Sequence, residues 1–512
     1  MSFVLIVFVN FSFYNYCIKR KAGLHMINLK IDTNKKHTIS PYLYMQFMEP
    51  LSVADSSVDA AWDYLKDDWH PSVINKVKEL APTMIRYGGC FASYSHWREA
   101  IGHKKSRVPM HNHCWGGMFS NYVGTHEVID FCRKVNAEPL LVANMESEGI
   151  KKIQNPLNDT CRMGTDIEAA DWVSYCNDPD NAERIVNGAE EPFSVKYWQI
   201  GNETSYGMLG NRGFDRDACF ETTSRFAKKM KDRDNSIKII GWADKDSFTQ
   251  EKWCSKMSSI DEIDMLAFHH HIPNLNTPDD PFFKTQYRDD WDKTWDTFMN
   301  AYKTLDEHIS EMRADAGNKR LAMTEGHFVV PGGHGGRNKS AILSTWAAGV
   351  AYARCLNTIM RHSDVLDIAT MADFFGNAWQ VNAIMIDAPL HMNGGRCYLQ
   401  PVGSVMSLFG KYQGKHSVDC TYNGNIDAVS SATDNKIFIH IANTDMYSRQ
   451  EINLDFGGAE ISDIKMHCIS EKPSTEVTVD NMDVFNPTEY EIKGNVINLP
   501  AAAVAAIEIT LK

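Results

Sequence analysis

Between residues 40 and 385, short β-type runs alternate with helical patterns, and the alternation occurs eight times. The runs fall at 42–49, 84–87, 139–143, 197–201, 237–242, 265–269, 321–324 and 368–371. The stretches between them carry apolar residues at helical spacing. Val73, Ile74, Val77 and Leu80 make one such face; Val128, Ile129, Cys132 and Val135 make another. Residues 341–360 form a long apolar helix containing Trp346, Val350 and Leu356. Eight strand–helix alternations predict an α/β fold, a (β/α)8 TIM barrel. A doubly wound open sheet is the rival. It is disfavoured because no Gly-rich phosphate loop follows the first strand.

After about residue 410 the texture changes. Short β-rich runs at 436–442, 450–454, 464–468, 477–479 and 505–511 are separated by Asn, Asp, Gly and Pro. This predicts an antiparallel β-sandwich. Residues 26–31 are also β-type and are expected to join it, bringing the termini together. The resulting division is 1–25, an apolar extension; 26–40, the strand joining the sandwich; 41–400, the barrel; and 401–512, the sandwich. No internal repeat or low-complexity segment is evident.

The extension from Phe3 to Phe13 is nearly all apolar and is followed by Lys19-Arg20-Lys21. A secretory signal has its charges before the apolar stretch and a small-residue cleavage site after it, and neither is present. The run is too short and mixed for a membrane span. The favoured reading is that the chain starts at Met26 and stays cytoplasmic. An anchored or secreted protein is the alternative. The 12 Cys lack regular spacing and read as free thiols rather than a disulfide framework.

At 512 residues the chain needs at least two domains. A net charge of -13 argues against nucleic acid or anionic membrane as the main partner. A neutral, polar small substrate fits better. The 12 Trp and 19 Tyr could build a sugar-stacking cleft, although most will be ordinary core and surface aromatics.

Candidate chemistry sits where the strands end. A lone buried carboxylate is costly, and two runs finish on one: Trp198-Gln199-Ile200-Gly201-Asn202-Glu203 and Leu321-Ala322-Met323-Thr324-Glu325-Gly326. Catalytic groups of a barrel collect at the C-terminal ends of its strands. There Glu203 would end the fourth strand and Glu325 the seventh. Glu49 would end the first and His269 the sixth. Arg86 closes the second, and Asn144 follows the third. Paired carboxylates in one cleft suggest glycoside hydrolysis. Glu325 has the shorter context, and Asp364, Asp367 and Asp373 remain alternatives to it.

Several segments then match one family in order. They are Phe47-Met48-Glu49, Ile85-Arg86-Tyr87-Gly88-Gly89-Cys90-Phe91, Gly124-Thr125-His126-Glu127 through Pro139 and Asn144, and Gly201-Asn202-Glu203. With the appended sandwich, the chain resembles the α-L-arabinofuranosidases of glycoside hydrolase family 51, clan A retaining enzymes. The likeness runs from about Met26 to the end. It implies Glu203 as general acid/base and Glu325 as nucleophile. It implies Asn202 on the sugar 2-hydroxyl, Glu49 on sugar hydroxyls and Arg86 fixing the ionised nucleophile. It implies no cofactor and suggests a homo-oligomer.

Departures are equally specific. Cys90 stands where the family has Asn, and His271 where it has Tyr. Asp373 falls near a usual Gln, Thr324 replaces an Asp, and Gly326-His327-Phe328 replaces a Trp segment. These alter the donors and acceptors facing a sugar. Another clan A activity (β-xylosidase, β-galactofuranosidase or endoglucanase) is therefore a second hypothesis. A non-catalytic carbohydrate-binding barrel is a third. His269-His270-His271 and His111-Asn112-His113-Cys114 contain metal-capable groups, but only His269 and His271 could share a site, and no metal is expected. Residues 111–115 read as a cleft wall, with Trp115 a stacking platform. Gly332-Gly333-His334-Gly335-Gly336 reads as a mobile loop, not a phosphate loop.

Overall fold

The computed structural model describes residues 26–145, 162–206, 214–275, 277–331 and 340–512. The N-terminal extension and the 332–336 loop lie outside the described residues. Eight parallel strands form the central sheet: Gln46–Met48, Met84–Tyr87, Glu138–Ala143, Tyr197–Ile200, Lys238–Trp242, Met265–Ile272, Arg320–Phe328 and Leu366–Ile368. Each pairs with the next in sequence. The Met45 amide donates to the Ala369 carbonyl and the Ala369 amide to Tyr42, which joins the last strand to the first. The sheet is a closed barrel. Most of its strand residues are buried, as a sheet covered by helices on one side and filled by side chains on the other requires.

The helices follow local signals. Pro71–Leu80 starts with Pro at its first position, and the His70 side chain accepts from the Ser72 amide. It buries Val73, Ile74, Val77 and Leu80, the face anticipated from their spacing. Thr125–Val135 is fixed at its start by Glu127, which accepts from the Gly124 amide at 2.9 Å, and ends at left-handed Asn136. Trp346–Arg361 is shorter at its start than the apolar pattern suggested, a 3-10 turn at Ile342–Ser344 preceding it.

Six strands, His416–Val418, Ile426–Ala432, Lys436–Asn443, Val504–Leu511, Ile461–Ile469 and Thr488–Glu491, form one sandwich sheet. The other contains Cys420–Thr421, Ile27–Ile31, Gln450–Asp455 and Val496–Leu499. The strand Ile27–Ile31 thus lies in the sandwich, running parallel to Gln450–Asp455 within an otherwise antiparallel arrangement.

Residues 477–479 are not a strand. Their neighbours cap the helix Trp346–Arg361: Trp346 and Ala347 amides donate to Thr475 and Pro473 carbonyls, and the Val477 amide to Ser344. Free amides at a helix start need such acceptors, and this segment supplies them. Buried Asp427 of the sandwich receives bonds from Arg354, Asn357 and Arg361 of the same helix, tying the two units together.

Candidate active site

The strand ends differ from expectation in ways that shape the site. Glu49 follows directly after its strand, but Glu203 lies three residues beyond Ile200, in a turn with φ +51°. Glu325 and His269 do not end their strands; both strands continue, to Phe328 and Ile272. Between them the register slips. Phe268 pairs with Met323, but His269 pairs with Glu325. Thr324 is the extra residue of a β-bulge.

A cavity of about 310 Å³ at this end of the barrel is lined by Glu49, Cys90, Trp115, Glu203, His271, Glu325 and Asp373, together with Phe47, Leu51, Tyr206, His327 and Trp379. The Trp115 and Trp379 rings meet edge to face at 5.2 Å. Arg86, Asn202 and His269 are buried immediately behind these groups. Asn144 is not part of the cavity lining. Its side-chain amide donates to the Ser95 and Arg162 carbonyls, tying two loops together in a neighbouring part of the barrel.

Glu203, His271 and Glu325 each present a donor atom within 4.8 Å of the others. Among the described residues this is the one group able to hold a metal ion. The two carboxylates are held differently. Arg86 Nη1 donates to Glu325 Oε1 at 2.8 Å, Nη2 to Asn202 Oδ1 at 2.5 Å and Nε to Gln199 Oε1 at 2.9 Å. One guanidinium fork thus fixes Glu325 and the Asn202 amide together. Glu203 Oε1 lies 2.9 Å from His269 Nδ1, and His269 Nε2 lies 2.9 Å from Thr324 Oγ1. Burial above all pushes the His269 imidazole down to about 3. It is neutral at ordinary pH, and its contact with Glu203 is a hydrogen bond rather than an ion pair. The Cys90 thiol donates to Glu203 Oε2 at 3.9 Å. A hydrogen bond with Cys114, then burial, raise that thiol well above its usual range, so it stays protonated.

Two further carboxyls face the pair. Glu49 Oε1 accepts from Trp115 Nε1 at 2.8 Å and the Phe91 amide at 3.1 Å. Burial and then the charge of Glu325 still push Glu49 well above the usual carboxylate range. Asp373 is raised by the same two causes. His327 Nε2 lies 3.2 Å from Asp373 Oδ1, while His327 Nδ1 donates to the Phe328 carbonyl at 2.6 Å. The contact with Asp373 is one of distance only, and Asp373 Oδ1 has no hydrogen-bond partner among the described residues. Neutral Glu49 and Asp373 can donate hydrogen bonds to a ligand, which ionised carboxylates cannot.

Five lining residues were not singled out as site residues from sequence. Phe47 and His327 lie two positions from Glu49 and Glu325, and period-two spacing could have found them. Tyr206 and Trp379 sit in turns that carry no such signal.

A closed (β/α)8 barrel with two facing carboxylates, carried after its fourth strand and on its seventh, is the architecture of a clan A glycosidase. Residues 76–296 match the alpha-L-arabinofuranosidase 1 domain, and residues 335–503 match the alpha-L-arabinofuranosidase C-terminal domain. The chain belongs to glycoside hydrolase family 51, among its arabinofuranosidase-like proteins. It is 25% identical over 359 residues to an intracellular exo-alpha-(1->5)-L-arabinofuranosidase of Acetivibrio thermocellus, covering 66% of this chain and 65% of that one. It is 28% identical over 265 residues to a probable alpha-L-arabinofuranosidase C of Aspergillus niger, covering 47% and 49%. The matched region thus spans about half to two thirds of these curated relatives. The fold is also that of the family 51 arabinofuranosidase of Xanthomonas axonopodis pv. citri, with a TM-score of 0.76, 19% identity, and coverage of 95% of this chain and 100% of the other. Among the described residues, no helix is long and apolar enough to cross a membrane.

Proposed function

We propose that the chain is a retaining, exo-acting α-L-arabinofuranosidase that releases terminal arabinofuranose from plant-derived oligosaccharides. The observation that carries this reading is the close approach of Glu203 and Glu325, within 4.8 Å between donor atoms. Retaining enzymes hold their carboxyls about 5–5.5 Å apart, and inverting ones leave about 6.5–9.5 Å for a water. The names of the curated relatives support the sugar.

Glu325 attacks the anomeric carbon while Glu203 protonates the departing oxygen. The sugar is then esterified to Glu325. With the charge of Glu325 gone, Glu203 takes a proton from water, which displaces the sugar. Asn202, its oxygen held by Arg86, has its side-chain N–H groups available for the 2-hydroxyl. Trp115 and Trp379, whose rings meet edge to face, give the cavity an aromatic wall on which a sugar face can pack. A cytoplasmic location and self-association belong to the same reading; the ten described cysteines are free thiols.

A panel of aryl arabinofuranosides, xylosides and galactofuranosides tests it, with mass analysis of enzyme labelled by a mechanism-based furanosyl inactivator. The expected label is on the peptide carrying Glu325. Labelling elsewhere overturns the mechanism; cleavage of another glycoside alone overturns only the sugar.

A further inference from the structure

Glu203 occupies a left-handed backbone conformation, φ +51°, that side chains with a Cβ disfavour. Something must hold the turn that carries it. The Tyr206 amide donates to the Glu203 carbonyl at 2.8 Å, closing residues 203–206 into one turn. That turn is fastened to the end of the fifth barrel strand. Trp242 Nε1 donates to Ser205 Oγ at 2.7 Å, and Ser205 Oγ donates to the Lys245 carbonyl at 3.1 Å.

The remaining fastening is a set of hydrogen bonds gathered on one buried carboxylate. The Tyr206 hydroxyl donates to Asp244 Oδ2. Asp244 Oδ1 accepts from the Lys245 amide at 2.8 Å and from His308 Nε2 at 3.0 Å. Burial opposes the Asp244 charge, but the bonds from His308 and Tyr206 prevail and hold its carboxyl below the usual range. The Tyr206 phenol is pushed well above its own range, by burial and then by Asp244. An ionised carboxylate only accepts, so the proton stays on Tyr206 and the direction of the bond is fixed. His308 comes from the helix Tyr302–Asp315, outside the barrel. Its other nitrogen lies 3.1 Å from His270 Nδ1, and His270 Nε2 lies 3.2 Å from Thr304 Oγ1.

We infer that Tyr206, Asp244 and His308 are positioning residues for the acid/base, a relay that runs from the helix layer to the turn of Glu203. This rests on the assignment of Glu203 as the acid. Tyr206 lines the cavity, whereas Asp244 and His308 act only through it. Trp242 completes the arrangement. Its indole packs edge-on against Tyr206 at 5.2 Å and against His269 at 4.6 Å, so the backbone and the carboxyl of Glu203 are braced through one ring.

Leaving-group dependence tests this. A misplaced acid harms departure of a poor leaving group and hardly affects one that leaves unprotonated. In His308→Leu and in Tyr206→Phe, kcat/KM on phenyl α-L-arabinofuranoside should fall about ten-fold or more, against about two-fold on the 2,4-dinitrophenyl glycoside. His308→Gln, which keeps an N–H for Asp244, should restore most of the loss. Tyr206→Phe keeps the ring and removes one hydroxyl, so it covers the case in which His308→Leu does not fold. Equal losses on both glycosides, or no loss, overturn the relay. A wild type that cleaves neither glycoside overturns the sugar, and the same comparison is then read on the phenyl and 2,4-dinitrophenyl forms of the glycoside it does cleave; one that cleaves no aryl glycoside overturns the hydrolase reading and the relay with it.

Discussion

His269 Nδ1 lies 2.9 Å from Glu203 Oε1 and only 3.5 Å from Glu325 Oε2, so one neutral imidazole touches both carboxylates. It can give its single proton to one of them at a time. The carboxylate oxygens facing Nδ1 accept, so the proton is assigned to Nδ1, and the Thr324 hydroxyl then donates to Nε2. His269→Phe removes that donor and, with it, the bond to Glu203 Oε1. We expect kcat to fall about 10²-fold on an aryl glycoside, with a smaller change in KM. An unchanged kcat would refute the assignment.

The double displacement makes a separate claim on Glu203. Glu203→Ala should lose about 10²–10⁴-fold on phenyl glycosides. Added azide should restore turnover of an activated substrate and yield a glycosyl azide of the starting anomeric configuration. An inverted product, read by NMR, excludes retention.

Arg86 is fully buried and bonds three partners at once. Lysine keeps the charge but not the fork. Arg86→Lys should therefore free either Asn202 or Glu325 and cost about 10²-fold or more in kcat. Retained activity with raised KM alone would show that the fork serves binding only.

Asp373 links pH to stability. Its folded-state carboxyl is raised by burial and by Glu325. Below about pH 4 folded and unfolded chains both hold the proton, and no penalty exists. As pH rises the unfolded chain releases its proton first, so stability falls until the folded group ionises. Asp373→Asn cannot ionise and should raise Tm at pH 7 by about 2–4 °C, with little effect at pH 4. A Tm lowered at pH 7 contradicts this.

Gly89 has φ +142°, and a Cβ there would sit 2.0 Å from Glu49 Oε2. Gly89→Ala should destabilise by about 2 kcal/mol and displace Glu49, raising KM. Urea unfolding and steady-state kinetics check both parts.

The barrel was legible because each strand is a compact apolar run between amphipathic helices. Glu203 was legible because Gly201 and Asn202 precede it in a recognisable motif. What escaped reading depends on contacts distant in sequence. Residues 477–479 have strand composition, yet the free amides of Trp346 and Ala347 claim the carbonyls beside them. Asn144 follows its strand as a site residue would, but its amide is spent on Ser95 and Arg162. Trp379 reaches the cavity from a loop between short strands, where no periodicity operates.

The extra residue at Thr324 changes the parity of the seventh strand. Before it, Met323 shares a register position with Phe268, whose ring faces His308 in the helix layer; after it, Glu325 and His327 face the cavity. Deleting this single residue would let Glu325 follow Met323 directly and still sit opposite His269, so the faces of the strand would be kept while the hydroxyl that meets His269 Nε2 is lost. What the insertion adds is therefore not an orientation but a partner: a regular strand would carry no hydroxyl against the imidazole that reaches both carboxylates.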